Sequence, residues 1–131
     1  MKISTKGRYG LRAMIDLASC PDGEYVPLGS IAQRQKISLN YLEHSFSALK
    51  KAGLVIGLSG AQGGYKLAKK PSDIALKDVM DVLEGDLSVA GPPDGNSPYQ
   101  DYIYKTVWEP VNQRIDTYIR NTTLQDILDT K

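Results

Sequence analysis

Asn40, Tyr41 and His44 follow Ser38 at the start of an amphipathic segment, and all four side chains are short or planar hydrogen-bonding groups. Groups of this kind suit the edges of nucleic-acid bases and the phosphates beside them. A second set lies near the beginning of the chain, where Lys2, Ser4, Thr5, Lys6, Arg8 and Tyr9 surround the first turn of another expected helix. Cations at a helix N-terminus oppose the macrodipole, so they are not there to stabilise that helix. With the free amides of the turn they form a phosphate clamp; a plain solvated helix end is the alternative reading. Gln62, at the tip of the stretch Gly60-Ala61-Gln62-Gly63-Gly64, is a third candidate contact. Lys50 and Lys51 lie too far along their segment to share the first-turn position and are expected to face solvent or backbone.

Other chemistry finds little support. No nucleophile–base pair or paired-carboxylate motif is present, so an enzyme is not expected. The single cysteine, Cys20, excludes an intramolecular disulfide and any metal site that needs two thiolates from one chain. His44, the single histidine, has no second ligand at helical spacing, and no metal is expected. Cys20 reads either as a buried, idle thiol or as a candidate redox sensor, which requires exposure and a lowered pKa. The glycine-rich stretch is not followed by a helix opening on Lys-Ser/Thr, which disfavours a nucleotide-phosphate loop.

The elements that must position these residues follow from periodicity. After Ser4-Thr5, either of which is a good N-cap, Leu11, Met14, Ile15 and Ala18 repeat at helical spacing until Pro21-Asp22-Gly23. Pro27 opens a short helix over Leu28 to Gln35, and Lys36-Ile37-Ser38 is a turn. The next helix runs from Leu39 to Ala52, with Leu39, Leu42, Phe46 and Leu49 inward and Gly53 at its left-handed stop. Leu54 to Leu58 and Tyr65 to Ala68 read as two strands joined by the glycine tip. Leu76, Val79, Met80 and Leu83 mark a helix closed by Gly85, and residues 86–98 form a loop. A long helix over about Tyr99 to Arg120 contains Pro110, which should kink it or start its main segment. Thr123-Leu124-Gln125-Asp126 resembles a capping box and predicts a short last helix.

Helix, helix, turn, helix and glycine-tipped hairpin, in that order, predict a mainly α fold with a small β-hairpin: a winged helix-turn-helix with a long C-terminal dimerisation helix. The second helix of such a unit lies in the major groove of double-stranded DNA, its N-terminal residues near base edges. The expected divisions are 1–85 for the DNA-binding domain, 86–98 for the loop, and 99–131 for the dimerisation and final helices. Val107, Trp108, Val111, Ile115, Tyr118 and Ile119 are the expected homodimer contacts, in a coiled-coil-like seam. Tyr99, Tyr102 and Tyr104 serve helix packing or dimer contacts or, with Trp108, line a small-molecule pocket.

A net charge of +1 conceals an asymmetry. Residues 1–70 hold eleven Lys/Arg against four Asp/Glu, net +7; residues 71–131 hold five against eleven, net −6. One half is thus suited to a polyanion. No run of about 18 apolar residues marks a membrane span, and Met1–Lys6 lacks the apolar core of a secretory leader, so the expected compartment is cytoplasmic.

Several blocks together resemble the Rrf-two family of bacterial transcription regulators. They are Ser4-Thr5-Lys6-Gly7-Arg8-Tyr9-Gly10-Leu11, Ile37 to Glu43, Ala52-Gly53-Leu54-Val55, Gly60 to Tyr65, Leu83-Glu84-Gly85 and Thr122 to Asp126. The resemblance covers essentially the whole chain and implies a winged-helix homodimer on palindromic promoter DNA, more often a repressor. Members of its cluster-binding branch carry three cysteines in the region equivalent to residues 86–98 and the start of the following helix. Here that region offers Pro92, Pro93, Asn96, Pro98, Tyr99 and Tyr102, and Lys105 stands where a histidine ligand would precede Trp108. No iron–sulfur cluster and no other cofactor is therefore expected. The wing has Ser59 where the family often has arginine, so minor-groove readout is weaker or the operator different. The controlling signal is an effector small molecule, a partner enzyme or oxidation of Cys20. The runner-up reading is a winged-helix protein-interaction module, or a regulator controlled by a partner enzyme, with DNA binding weak or lost.

Overall fold

Ser4 starts the first helix, α1 (Thr5–Ala18), by accepting a hydrogen bond from the Gly7 amide. This computed structural model describes residues 2–131; Met1, the first residue of the expected 1–85 domain, lies outside the described residues. After α1 come α2 (Leu28–Gln35) and α3 (Leu39–Lys51), separated by a turn in which Lys36 takes a left-handed conformation, φ 57°. Ser38 caps α3 by accepting from the Tyr41 amide, and Gly53, φ 79°, ends it. Strands β1 (Val55–Leu58) and β2 (Gly64–Leu67) pair antiparallel, with Val55 opposite Leu67 and Leu58 opposite Gly64. Val26 adds a bridge to Tyr65 through two backbone hydrogen bonds of 2.7 and 2.8 Å. Gly64 is obligatory there, since a Cβ would collide with the Val26 carbonyl.

A 3-10 turn, Pro71–Asp73, leads to α4 (Leu76–Leu83). The long helix then runs in three pieces: α5 (Gln100–Ile103), a π-helical stretch Tyr104–Trp108, and α6 (Glu109–Asn121). Pro110 is the reason. It has no N–H to return to the preceding turn and occupies the first turn of α6, where that lack costs nothing. The turn before it widens into π geometry, with the Glu109 amide bonded to the Tyr104 carbonyl. The last helix, α7 (Leu124–Asp129), carries the expected reciprocal cap: Thr123 Oγ1 accepts from the Asp126 amide and Asp126 returns a bond to the Thr123 amide.

Phe46, Met14, Ile31, Leu42, Leu49, Ile74, Val79 and Leu124 form the fully buried centre. Four expectations need correction. In α1 the buried side is Gly7, Gly10, Ala13, Met14 and Leu17, whereas Leu11, Ile15 and Ala18 are half-buried at its edge. Gly10 is inward because any Cβ would strike Leu83 of α4. Leu39 is exposed, at 43%, because it is the first residue of α3, on the flank of the inward stripe and one turn ahead of Leu42. Ile119, expected on the exposed seam of the long helix, is buried within the protomer. Finally, α7 belongs with the first body rather than with the long helix: Leu124 lies in the core, its amide bonds to the Ile74 carbonyl, and Thr123 bridges to Ala75.

Asp16 is the charged residue inside this core region, and its partners lie on α2. Arg34 makes a forked contact, with Nη2 to Oδ1 at 2.6 Å and Nε to Oδ2 at 3.1 Å, and Gln35 donates to Oδ2 at 2.8 Å. Burial pushes the Asp16 carboxyl up, but the hydrogen bonds from Arg34 and Gln35 and the Arg34 charge outweigh it and hold the group below its usual range. Stability from such a group is present above the unfolded-state carboxyl pKa, about 3.9, and is lost as pH falls through the lower folded value. Asp16→Asn is expected to cost about 2 kcal/mol near neutral pH, because Arg34 is half exposed and keeps water as a partner. In urea titrations the gap between the two proteins should close below about pH 4; a gap that stays constant to acid pH contradicts the assignment.

Candidate nucleic-acid interface

The first turn of α3 is held against α1 by aromatic packing. Tyr9 and Tyr41 meet edge-to-face with ring centroids 5.9 Å apart, and the Arg12 guanidinium lies 5.2 Å from the Tyr9 centroid. Tyr9 and Tyr41 are half-buried, so both are spent mainly in bringing the two candidate sets together. On the inner side of α3, Phe46 packs against Tyr65 of β2 with centroids 5.1 Å apart, which fixes the hairpin to the same helix.

These contacts leave one outer face on α3. Leu42, Ser45, Phe46 and Leu49 point inward, so Asn40, Glu43, His44 and Ser47, spaced i, i+3, i+4 and i+7, are all exposed. Asn40 and His44 were expected there. Glu43 and Ser47 were not, although their spacing from Asn40 was a sufficient signal. Exposed Leu39 adds an apolar group beside Asn40, the kind that contacts a thymine methyl. Ser38 faces solvent, but its hydroxyl oxygen accepts the Tyr41 amide, so its first role is the cap. Gln62 is exposed in the turn at the hairpin tip, as expected. Lys50 lies over the hairpin instead of joining the outer face: its Nζ is 3.4 Å from where a Gly57 side chain would begin.

The start of α1 departs from the expected clamp in one respect. Two of its amides are taken: Ser4's by the Glu84 carboxylate at the end of α4 and Gly7's by the Ser4 hydroxyl. Glu84 Oε1 accepts from the Ser4 amide at 2.8 Å and from the Ser4 hydroxyl at 2.6 Å. The Ser4 hydroxyl, foremost, holds the Glu84 carboxyl below its ordinary value. Ser4 is thereby committed to fixing α1 on α4. The cationic part stands: Lys2, Lys6 and Arg8 are exposed, and Arg8 donates to Thr5 Oγ1 at 3.3 Å. The carboxylate beside the terminus leaves the exposed side-chain cations as the candidate phosphate contacts at this end.

The remaining candidates lie elsewhere. The Cys20 thiol is half-buried, 3.3 Å from the Asp16 carbonyl, and 3.7 Å from Arg34 Nη2. Burial pushes the thiol up in pKa and the Arg34 charge only partly opposes it. That environment is opposite to the one that activates a redox thiolate. Val107, Trp108, Val111 and Tyr118 are exposed along the long helix, and Ile103 joins them. Ile115 is half-buried, in a hollow with Lys77 and Asn112. Segment 86–98 is tied down by Asn112, which accepts from the Val89 amide at 2.7 Å and donates to the Ala90 carbonyl at 3.0 Å. It contributes no thiolate, and among the described residues no group of three His, Cys, Asp or Glu is placed to hold a metal. The residues present do not fit an iron–sulfur cluster. No helix of the described residues is long and apolar enough to cross a membrane.

The Rrf2 (Rrf-two) family model, described as an iron-dependent transcriptional regulator, matches residues 3–130. The chain is 39% identical over 127 residues to the HTH-type transcriptional regulator CymR of Bacillus subtilis, covering 97% of this chain and 89% of that protein. It is 37% identical over 131 residues to the HTH-type transcriptional regulator IscR of Vibrio atlanticus, covering 98% and 75%. Among solved structures, CymR (YrzC), the global cysteine regulator of B. subtilis, superposes with a TM-score of 0.87 at 37% identity over 100% of this chain and 98% of that one. IscR of T. potens superposes with a TM-score of 0.79 at 44% identity over 99% and 88%. With matches across both the winged-helix body and the long helix, this chain belongs to the Rrf2 family of DNA-binding transcription regulators.

Proposed function

We propose that the chain acts as a homodimeric repressor on palindromic promoter DNA, without an iron–sulfur cluster, under control of a small-molecule effector or a partner enzyme. The observation that carries the reading is the outer face of α3. Four side chains at helical spacing, Asn40, Glu43, His44 and Ser47, face solvent, and the Tyr9–Tyr41 contact sets them beside the basic start of α1. Base edges are read by the first group and phosphates by Lys2, Lys6 and Arg8. Support for a second copy comes from the long helix. Val107 and Val111 are exposed at 40% and 38%, Tyr118 continues their line, and nothing in the protomer covers them. Two copies packed along that line present their α3 helices to successive major grooves about 34 Å apart.

Lys6→Ala is expected to weaken binding to all sequences alike and to reduce the salt slope of log K by about one. Asn40→Ala should instead relax base preference at one position, at a cost of about 1–3 kcal/mol, read by selecting bound sites from a random duplex library; a uniform loss at every site removes Asn40 from base readout. Val111→Glu tests the assembly. It places a charge in the seam while leaving the protomer core untouched, so circular dichroism should be unchanged. Sedimentation should then show a monomer, and affinity for the promoter duplex should fall at least about 100-fold. A wild-type chain that is monomeric and binds DNA fully sinks the proposal, as does a DNA affinity that changes once iron and sulfide are supplied anaerobically.

A further inference from the structure

A hollow of about 780 Å³ opens at the C-terminal end of α1. It lies between the C-terminal end of α1, the loop after it, the base of the hairpin and the 71–73 turn. The start of α1 belongs to the candidate DNA interface, and the helix is 14 residues long, so its two ends lie about 20 Å apart. The walls carry opposite charge. Lys66, Lys69 and Lys70 line the hairpin side, where Asp73 of the 71–73 turn offsets one of the three positive charges, and Asp22 and Glu24 line the loop after α1. Leu17, Ile56 and Leu67 supply apolar surface between them. Among the described residues there are four ion pairs, and none involves any of these six charged groups. Lys66 is drawn over the Tyr25 ring instead, its Nζ 4.7 Å from the centroid.

We propose that this hollow is an effector site for a small zwitterion with an aliphatic side chain, an amino acid by chemical class. Facing walls of opposite sign that do not close on each other leave a dipolar field across an apolar floor. A carboxylate is attracted to the lysine wall and an ammonium to the acidic loop, while the side chain covers Leu17, Ile56 and Leu67. The volume is in the range of small-molecule sites. The charges are solvent-exposed, so each contact is weak and affinity is in the high-micromolar to millimolar range.

The two walls are also mechanically joined. Glu24 lies two residues before Val26 and Lys66 one after Tyr65, and the Val26–Tyr65 bridge binds the loop to β2. Tyr65 packs on Phe46 of α3. An occupant that draws the walls together acts on the position of the hairpin and of α3. This coupling rests on the DNA-binding reading above; occupancy of the hollow does not.

Calorimetric titration of the full chain, without DNA, decides occupancy. L-leucine should bind saturably below about 10 mM. Its deaminated acid, 4-methylpentanoate, and its decarboxylated amine, 3-methylbutylamine, should each bind at least about tenfold more weakly, because each engages one wall only. Lys69→Gln/Lys70→Gln and Glu24→Gln are surface changes and should weaken leucine binding about fivefold or more with unaltered thermal unfolding. Absence of saturation, equal binding of the acid or the amine, or undiminished binding by both variants overturns the site. Fluorescence anisotropy with the promoter duplex then reads the coupling. A leucine-dependent shift of about fivefold in DNA affinity is expected, and bound leucine with unshifted affinity overturns the coupling. A chain that binds leucine but no DNA at all leaves the site intact and refutes the regulator reading instead.

Discussion

Phe46 occupies the place where α3, the hairpin and the core meet, and its burial fixes the direction in which α3 faces. With Leu42, Ser45 and Leu49 it completes an inward stripe, and Tyr65 closes over it from β2. A helix has 3.6 residues per turn, so an inward stripe at 42, 45, 46 and 49 forces 40, 43, 44 and 47 outward. The candidate recognition surface is thus the complement of the packing surface. Neither set can be changed in register without moving the other. The same ring holds the wing, whose partner strand passes so close to Val26 that only glycine fits at position 64. Loss of the Phe46 ring would therefore loosen the hairpin and the helix together, not one of them.

Charge is used for placement more than for stability. Asp16 is buried and receives hydrogen bonds from Arg34 and Gln35, and Arg12 adds contacts to Gln35, so the α1–α2 angle is set by oriented polar groups. Glu84 does the same between α4 and the start of α1. It also places a negative charge beside Lys6 and Arg8 in a region otherwise basic. A phosphate approaching that end meets side-chain cations flanking a helix terminus already occupied by carboxylate, which favours contact at the periphery of the turn over contact along the helix axis. The lysines and arginines of the first 70 residues are left largely unpaired, whereas Lys77, Asp81, Asp116 and Arg120 of the acidic half pair among themselves. The net +7 and −6 of the two halves therefore reflect different tasks.

Much of this was legible in the sequence because it is local. Ser4, Ser38 and the Thr123/Asp126 pair mark helix starts through bonds within four residues, and Gly53 and Gly85 mark stops through their positive φ. The α3 stripe was read correctly from Leu42 onward. What escaped depends on neighbours distant in sequence. α1 turns its glycines inward because α4 comes too close at Leu83 and Glu84 for any side chain, and periodicity assigns an inward face to large apolar residues, never to Gly7 and Gly10. Ile119 lies in the apolar series of the long helix, but packing against α4 claims it. Leu39 has the type and nearly the phase of a core residue, but as the first residue of α3 it is exposed. The widening at Tyr104–Trp108 follows from Pro110, yet sequence alone admitted a kink or a new start equally well. Glu84 lies 80 residues from Ser4, so no local pattern joins them.

The junction between the long helix and the body decides how far any local change can travel. α6 lies against α4, and α4 lies against both α1 and α3. Lys77 on α4 reaches Asp116 on α6 at 3.4 Å, and the Leu76 amide bonds to the Thr122 carbonyl at 2.7 Å. The ion pair is solvent-exposed and contributes little, but the backbone bond and the Ala75–Thr123 bridge are short-range and directional. They tie the C-terminal end of α6 to the strand-like segment before α4. At the opposite end α5 meets the 86–98 loop, where Gln100 accepts from the Gly95 amide at 3.2 Å, and Asn112 of α6 holds the earlier part of that loop. In a dimer built along this helix, a change where α6 meets α4 reaches, through α4, the two helices that carry the candidate basic and base-contacting groups.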